Sequence, residues 1–188
     1  MLPRSTTSRA SLGIRGVLLI LFLASGVLAH AAQFSIDAVK AAYLFRFSSY
    51  VEWPALSGKD DKALVIGVVG AEEVAVHLER LLTGMPAGGR AASVRRVRNA
   101  ADMQGIQILY VGARAFRSSY LLREFTKAKP ILLVTDNRLG LEGGGVINFI
   151  EVDRNLRFEI SLEAAERNGL KIDSALLSVA ARVAKKGE

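Results

Sequence analysis

Apolar positions recur at intervals of three and four residues from Ile36 onward: Ile36, Val39, Tyr43, Phe47 and Tyr50 form one stripe, widened by Ala42, Leu44, Phe45 and Val51. That period predicts a deeply packed helix over residues 36–50 with Ser35 as its cap. The helix is expected to end at Glu52-Trp53-Pro54, because the residue before a proline is biased out of the helical region. The period then changes. Residues 63–69 (ALVIGVV) are continuously apolar and rich in β-branched side chains, the pattern of a parallel strand covered on both faces. Gly70 closes it, and residues 72–82 read as a helix with Val76, Leu78, Leu81 and Leu82 apolar.

The same alternation continues. Residues 84–89 predict a turn, 91–98 an exposed strand, 100–105 a brief helical connection and 106–111 (IQILYV) a second buried strand. A helix over 118–129 and a strand over 130–135 (PILLVT) complete repeated strand-helix-strand units, which point to α/β crossovers of right-handed sense. Residues 146–152 and 156–160 flank the polar Asp153-Arg154-Asn155 and read as an antiparallel hairpin. In its second arm Leu156, Phe158 and Ile160 face one way and Arg157 and Glu159 the other. A helix over 162–168 stops at Gly169, and a last helix capped by Ser174 carries Leu177, Ala180 and Val183, with 185–188 fraying. The expected fold is a single three-layer α/β domain with a mostly parallel sheet and an added C-terminal antiparallel hairpin.

The first 31 residues have a different character. Arg4, Arg9 and Arg15 precede an apolar run (GVLLILFLASGVL, 16–28), and Ala29-His30-Ala31 follows with small-x-small spacing. This is the composition of a cleaved secretory signal, shorter than the roughly 20 residues a membrane span needs. The expected division is a signal peptide over 1–31 and one domain over 32–188. No cysteine follows the run, so the reading includes no lipid anchor after cleavage.

The 188-residue chain carries 25 basic and 18 acidic side chains. Removing the signal removes three arginines and no acid, leaving 22 against 18, a net of +4. That field is modest, and secretion argues against nucleic acid as a partner. Without cysteine, a thiol nucleophile, thiolate metal site or disulfide is excluded. His77 is the sole histidine beyond the leader and lies in an amphipathic helix, so a serine triad or histidine metal site has no basis; no metal, cofactor or catalytic residue is expected. Gly67-Val68-Val69-Gly70 lacks the dinucleotide fingerprint and reads as packing and turn glycines.

Three further groups invite chemistry. Asp136, Asn137 and Arg138 follow a central strand, where α/β proteins place ligand groups; the plainer reading is a capped turn. Arg95, Arg96 and Arg98 sit on an expected edge strand, where charge discourages pairing with another chain; contact with an acidic protein surface is the alternative. Tyr50 and Trp53 either lock the helix to the sheet or anchor a protein interface.

The segments KAAYLFRFSSYVEWP, ALVIGVVG, PILLVTD and GGGVINFIEVDRNLRFEISLEAAERNGLKIDSALL together resemble the YfiR-like family of bacterial periplasmic proteins, over residues 36–183. The resemblance implies a non-enzymatic periplasmic regulator, often dimeric, that binds and represses the periplasmic sensor domain of an inner-membrane signalling protein, foremost a diguanylate cyclase in cyclic-di-GMP signalling. The best-known members carry disulfides, which this chain lacks. Under this reading Tyr50, Trp53, Arg95, Arg96 and Arg98 are interface candidates, and Asp136, Asn137, Arg138, Asn148, Arg157 and Glu159 are polar or ligand-facing candidates. Gly143, Gly144 and Gly145 are expected to supply unusual backbone angles before the hairpin, and Gly169 a helix cap. Two alternatives remain open at this level: a small-ligand binding protein acting with a membrane sensor kinase, and a hydrolase pairing Asp136 with Glu159.

Overall fold

The computed structural model describes residues 35–53, 63–83 and 91–185; the expected signal peptide, the turn at 84–89 and the residues beyond 185 lie outside them. Helix α1 (Ile36–Phe47) and the two-residue strand β1 (Val51–Glu52) come first. Strand β2 (Leu64–Val69), helix α2 (Glu72–Leu82) and strand β3 (Ala92–Arg96) follow, then a short 3-10 turn (Ala100–Met103) and β4 (Ile108–Val111). A second 3-10 turn (Ala113–Ala115) leads into α3 (Tyr120–Thr126) and β5 (Leu132–Thr135). The hairpin β6 (Ile147–Val152) and β7 (Asn155–Ser161), helix α4 (Leu162–Arg167), β8 (Lys171–Ile172), α5 (Ser174–Val179) and β9 (Arg182–Ala184) complete the chain.

Seven strands make one sheet in the order β3-β2-β4-β5-β6-β7-β9. The first five run parallel, β7 is antiparallel to β6, and β9 is parallel to β7. A separate two-stranded sheet pairs β1 with β8. Alternate residues of the central strands feed two cores. One face packs Ile66, Tyr110, Val134, Phe149 and Phe158 under α1 and α2; the other packs Leu109, Val111 and Leu133 with Phe116 and Met103. This is the α/β layering expected from continuously apolar strands.

Three local expectations change. The buried face of α1 is Lys40, Ala41, Leu44 and Phe47, leaving Ile36 46% exposed. The helix stops at Phe47, where Ser48 caps it, because the following residues are drawn into β1 by pairing with β8, which lies more than a hundred positions away. The terminal helix is shorter than expected: Asp173 rather than Ser174 caps α5, and Val183 lies on β9 at the sheet edge. There the chain gains backbone pairing with β7.

Candidate functional site

The order in which strands are added to the sheet reverses between the parallel β2 and β4, since β2 connects through α2 to β3 on one side while β4 lies on the other. In open α/β sheets the carboxyl ends of the strands at such a switch point form a crevice. Here it has a volume of about 720 Å³, and its lining includes Lys40, Tyr110 and Asp136 together with Arg96, Arg98 and Arg114. Lys40 projects from α1 and donates to Asp136 Oδ2 at 2.5 Å, and the Tyr110 hydroxyl donates to the same oxygen at 3.2 Å. Asp37 lies a further 3.8 Å from the Lys40 ammonium. Burial, with the Asp136 charge adding to it, pushes the Tyr110 phenol well above its ordinary range.

Arg95, Arg96 and Arg98 have separate employments. Arg95 donates to the carbonyls of Asp102 and Gln104. Arg96 forks between Glu72 and Glu79 of α2, and those hydrogen bonds hold both carboxyls below the usual glutamate range while raising the guanidinium. Arg98 is exposed at the crevice, its backbone N–H donating to Asp102. β3 is an edge strand that carries Arg95 and Arg96, while Arg98 lies beyond its end.

A second polar cluster crosses four adjacent strands. Thr135 on β5 donates to Asn148 Oδ1 at 2.8 Å, Asn148 on β6 donates to Glu159 at 2.9 Å, and Glu159 on β7 receives Arg182 of β9 at 2.7 Å. The Asn137 backbone N–H also reaches Asn148. Asn148 is fully buried and Glu159 only 8% exposed, so of the three residues expected on the hairpin's polar side only Arg157 is exposed, while Asn148 and Arg182 cover Glu159. Glu159 is absent from the crevice lining where Asp136 stands, so the hydrolase pairing of the two carboxylates does not assemble. Arg157 is exposed beside the Val179 carbonyl, and Arg138 is exposed on the loop after β5.

The loop carrying the three glycines is held from α3. Arg123, 6% exposed, donates to the carbonyls of Gly143 and Phe116 and stacks 3.9 Å over the Phe116 ring. A Cβ at Gly143 would fall 2.5 Å from Phe116 and 2.6 Å from Arg123; one at Gly145 would fall 2.7 Å from the Gly140 carbonyl. Only Gly144 of the three needs a left-handed backbone, with φ +93°. Close approach therefore explains two of the glycines and backbone angle one. Gly169, at φ 68°, follows α4 as expected of a helix-ending glycine. Trp53, 5% exposed, packs in the main core, and Tyr50 is half-buried against it.

The YfiR/HmsC-like family profile (DUF4154) matches residues 37–181. The chain belongs to the YfiR/HmsC-like family. No curated protein matches it. Among solved structures, a conserved domain protein from Vibrio cholerae O1 biovar eltor is 16% identical over 80% of this chain, with a TM-score of 0.48; the chain spans 60% of that protein's length.

YfiR/HmsC-like proteins are periplasmic, non-catalytic regulators that act on an inner-membrane cyclic-di-GMP signalling protein through its periplasmic domain. Among the described residues of this member, no group of three or more His, Asp or Glu is placed to hold a metal ion, and no helix is long and apolar enough to cross a membrane. Two residues that shape the site, Lys40 and Arg123, were missing from the sequence candidates. Lys40 stands four and seven positions before Leu44 and Phe47 on one helical face, and a charge inside an apolar stripe signals a hidden counter-ion. Arg123 gave no comparable signal, because its acceptors are backbone carbonyls.

Proposed function

We propose that residues 1–31 are removed on export and that the remaining domain acts in the periplasm as a repressor, binding the sensor domain of an inner-membrane diguanylate cyclase and holding its output low. The observation that carries this reading is the family match across residues 37–181. The interior is consistent with it: the polar groups nearest to chemistry are engaged with one another, Lys40 with Asp136 and Asn148 with Glu159. Repression then works by population shift, the domain binding the inactive sensor more tightly than the active one, and only that difference in affinity moves the output.

The test is recovery of the partner. The chain, expressed with its own leader and a C-terminal tag, is purified from mildly solubilised membranes. Expected is specific recovery of an inner-membrane protein with a periplasmic domain and a cytoplasmic cyclase domain. Recovery of no membrane protein, with a small metabolite retained by the soluble domain instead, would overturn the reading.

A further inference from the structure

Lys40 is a buried ammonium with donors to spare. The residue is 9% exposed, and among the described residues its ammonium makes one hydrogen bond, to Asp136. Asp37, at 3.8 Å, stands beyond hydrogen-bond distance. An ammonium carries three donors, so two of the three find no acceptor among the described residues. Leaving the donors of a buried charged group unmatched is costly. Lys40 lines the crevice at the carboxyl ends of β2 and β4, and what occupies that crevice can supply the missing acceptors.

The other charges of the lining favour the same kind of occupant. Arg96 is already forked between Glu72 and Glu79. Arg98 and Arg114 are exposed where they line the crevice, and neither makes an ion pair among the described residues. Glu73 is the one exposed carboxylate of the lining in the same position. Two free guanidinium groups at the mouth and an under-satisfied ammonium at the floor therefore outweigh one free carboxylate. The first turn of α2 adds to that sign, since Glu72, Glu73 and Val74 line the crevice and Ala71, at the cap position, offers no side-chain acceptor.

We propose that this crevice binds a small organic anion, a carboxylate or a phosphate, whose oxygens accept from the Lys40 ammonium at the floor and pair with Arg98 and Arg114 at the mouth. Its volume of about 720 Å³ lies in the range of pockets that enclose a metabolite, and the switch point of an open α/β sheet is where such ligands sit. A metal cation is disfavoured, because the lining turns an ammonium and two free guanidinium groups toward it. The bound anion would tie α1, which carries Lys40, to the segments that follow β3 and β4, which carry Arg98 and Arg114.

The test titrates the purified exported chain with inorganic phosphate, citrate and glucose 6-phosphate by calorimetry at low ionic strength, with glucose as the uncharged control, and maps the response by amide NMR. The site is read in the purified chain and is independent of any membrane partner. Expected is saturable binding of at least one of the three anions with a Kd of about 1 mM or tighter, no binding of glucose, and shifts centred on the amides of Gly70, Gly112 and Asp136. Replacing both exposed arginines, Arg98→Gln with Arg114→Gln, should weaken that binding about tenfold or more at unchanged thermal stability. Lys40→Met should weaken it too; should that variant fail to fold, the arginine pair decides alone. Glucose binding as tightly as glucose 6-phosphate would overturn the recognition of an anion. Anion binding unchanged in the arginine variant, or shifts confined to another part of the domain, would overturn the site. Saturation by none of the three anions would assign the spare Lys40 donors to water and overturn the proposal.

Discussion

Arg123 donates from Nη1 to the Gly143 carbonyl at 2.9 Å and from Nη2 to the Phe116 carbonyl at 3.0 Å. One side chain thus joins α3 to the loop before the hairpin. Replacing it with Met keeps much of the packing and leaves both carbonyls short of a donor, at a cost of about 2 kcal/mol. Chemical denaturation of Arg123→Met checks the magnitude. Gly143→Ala should cost about 1–3 kcal/mol by overpacking against Phe116 and the same guanidinium, and little change in the midpoint would show that the loop yields.

Trp53 sits in the core at 5% exposure. Trp53→Ala should therefore lower stability by about 3–5 kcal/mol, and Trp53→Phe by less. Sensor binding by folded Trp53→Phe protein should match wild type. A Trp53→Ala protein of unchanged stability would contradict this placement.

Asn148 is fully buried between Thr135, the Asn137 N–H and Glu159. Its replacement by Ala leaves Glu159 with Arg182 alone and strips acceptors from two donors, costing about 2–3 kcal/mol. Equilibrium unfolding measures this, and a double-mutant cycle with Glu159→Gln should show coupling between the two residues.

Tyr110 is held neutral by burial and by the Asp136 carboxylate. Its folded pKa lies above the unfolded value near 10, so as pH rises past about 10 the unfolded chain releases the proton first and stability falls. Below that pH the contribution is fully present. Absorbance near 295 nm should show Tyr110 ionising only with unfolding, apart from the other three tyrosines, and Tyr110→Phe should flatten the loss of stability between about pH 10 and pH 11.

Long, locally written elements were legible from the chain. The run ALVIGVV became β2, and the amphipathic stretch Glu72–Leu82 became α2 with the same bounds. The hairpin was legible because the polar Asp153-Arg154-Asn155 separates two strand-like runs, and Asp153 and Arg154 adopt positive φ at that turn. Strands β1, β8 and β9 were not legible, being two or three residues long and made by distant pairing; periodicity needs more residues than that. Alternation fixed the face of Glu159 but not its exposure, which depends on Asn148 and Arg182 covering it. In the same way, Trp53-Pro54 set the expected end of the first helix beyond its actual stop at Phe47, and only the fold decided that the indole faces inward.

Repression by this domain is tested most directly by intracellular cyclic-di-GMP, measured by mass spectrometry in cells lacking the chain and in the same cells given it back. Expected is a rise on removal and a return to the original level when the wild-type chain is restored. Cyclic-di-GMP unchanged by removal of the chain would contradict the repressor function itself.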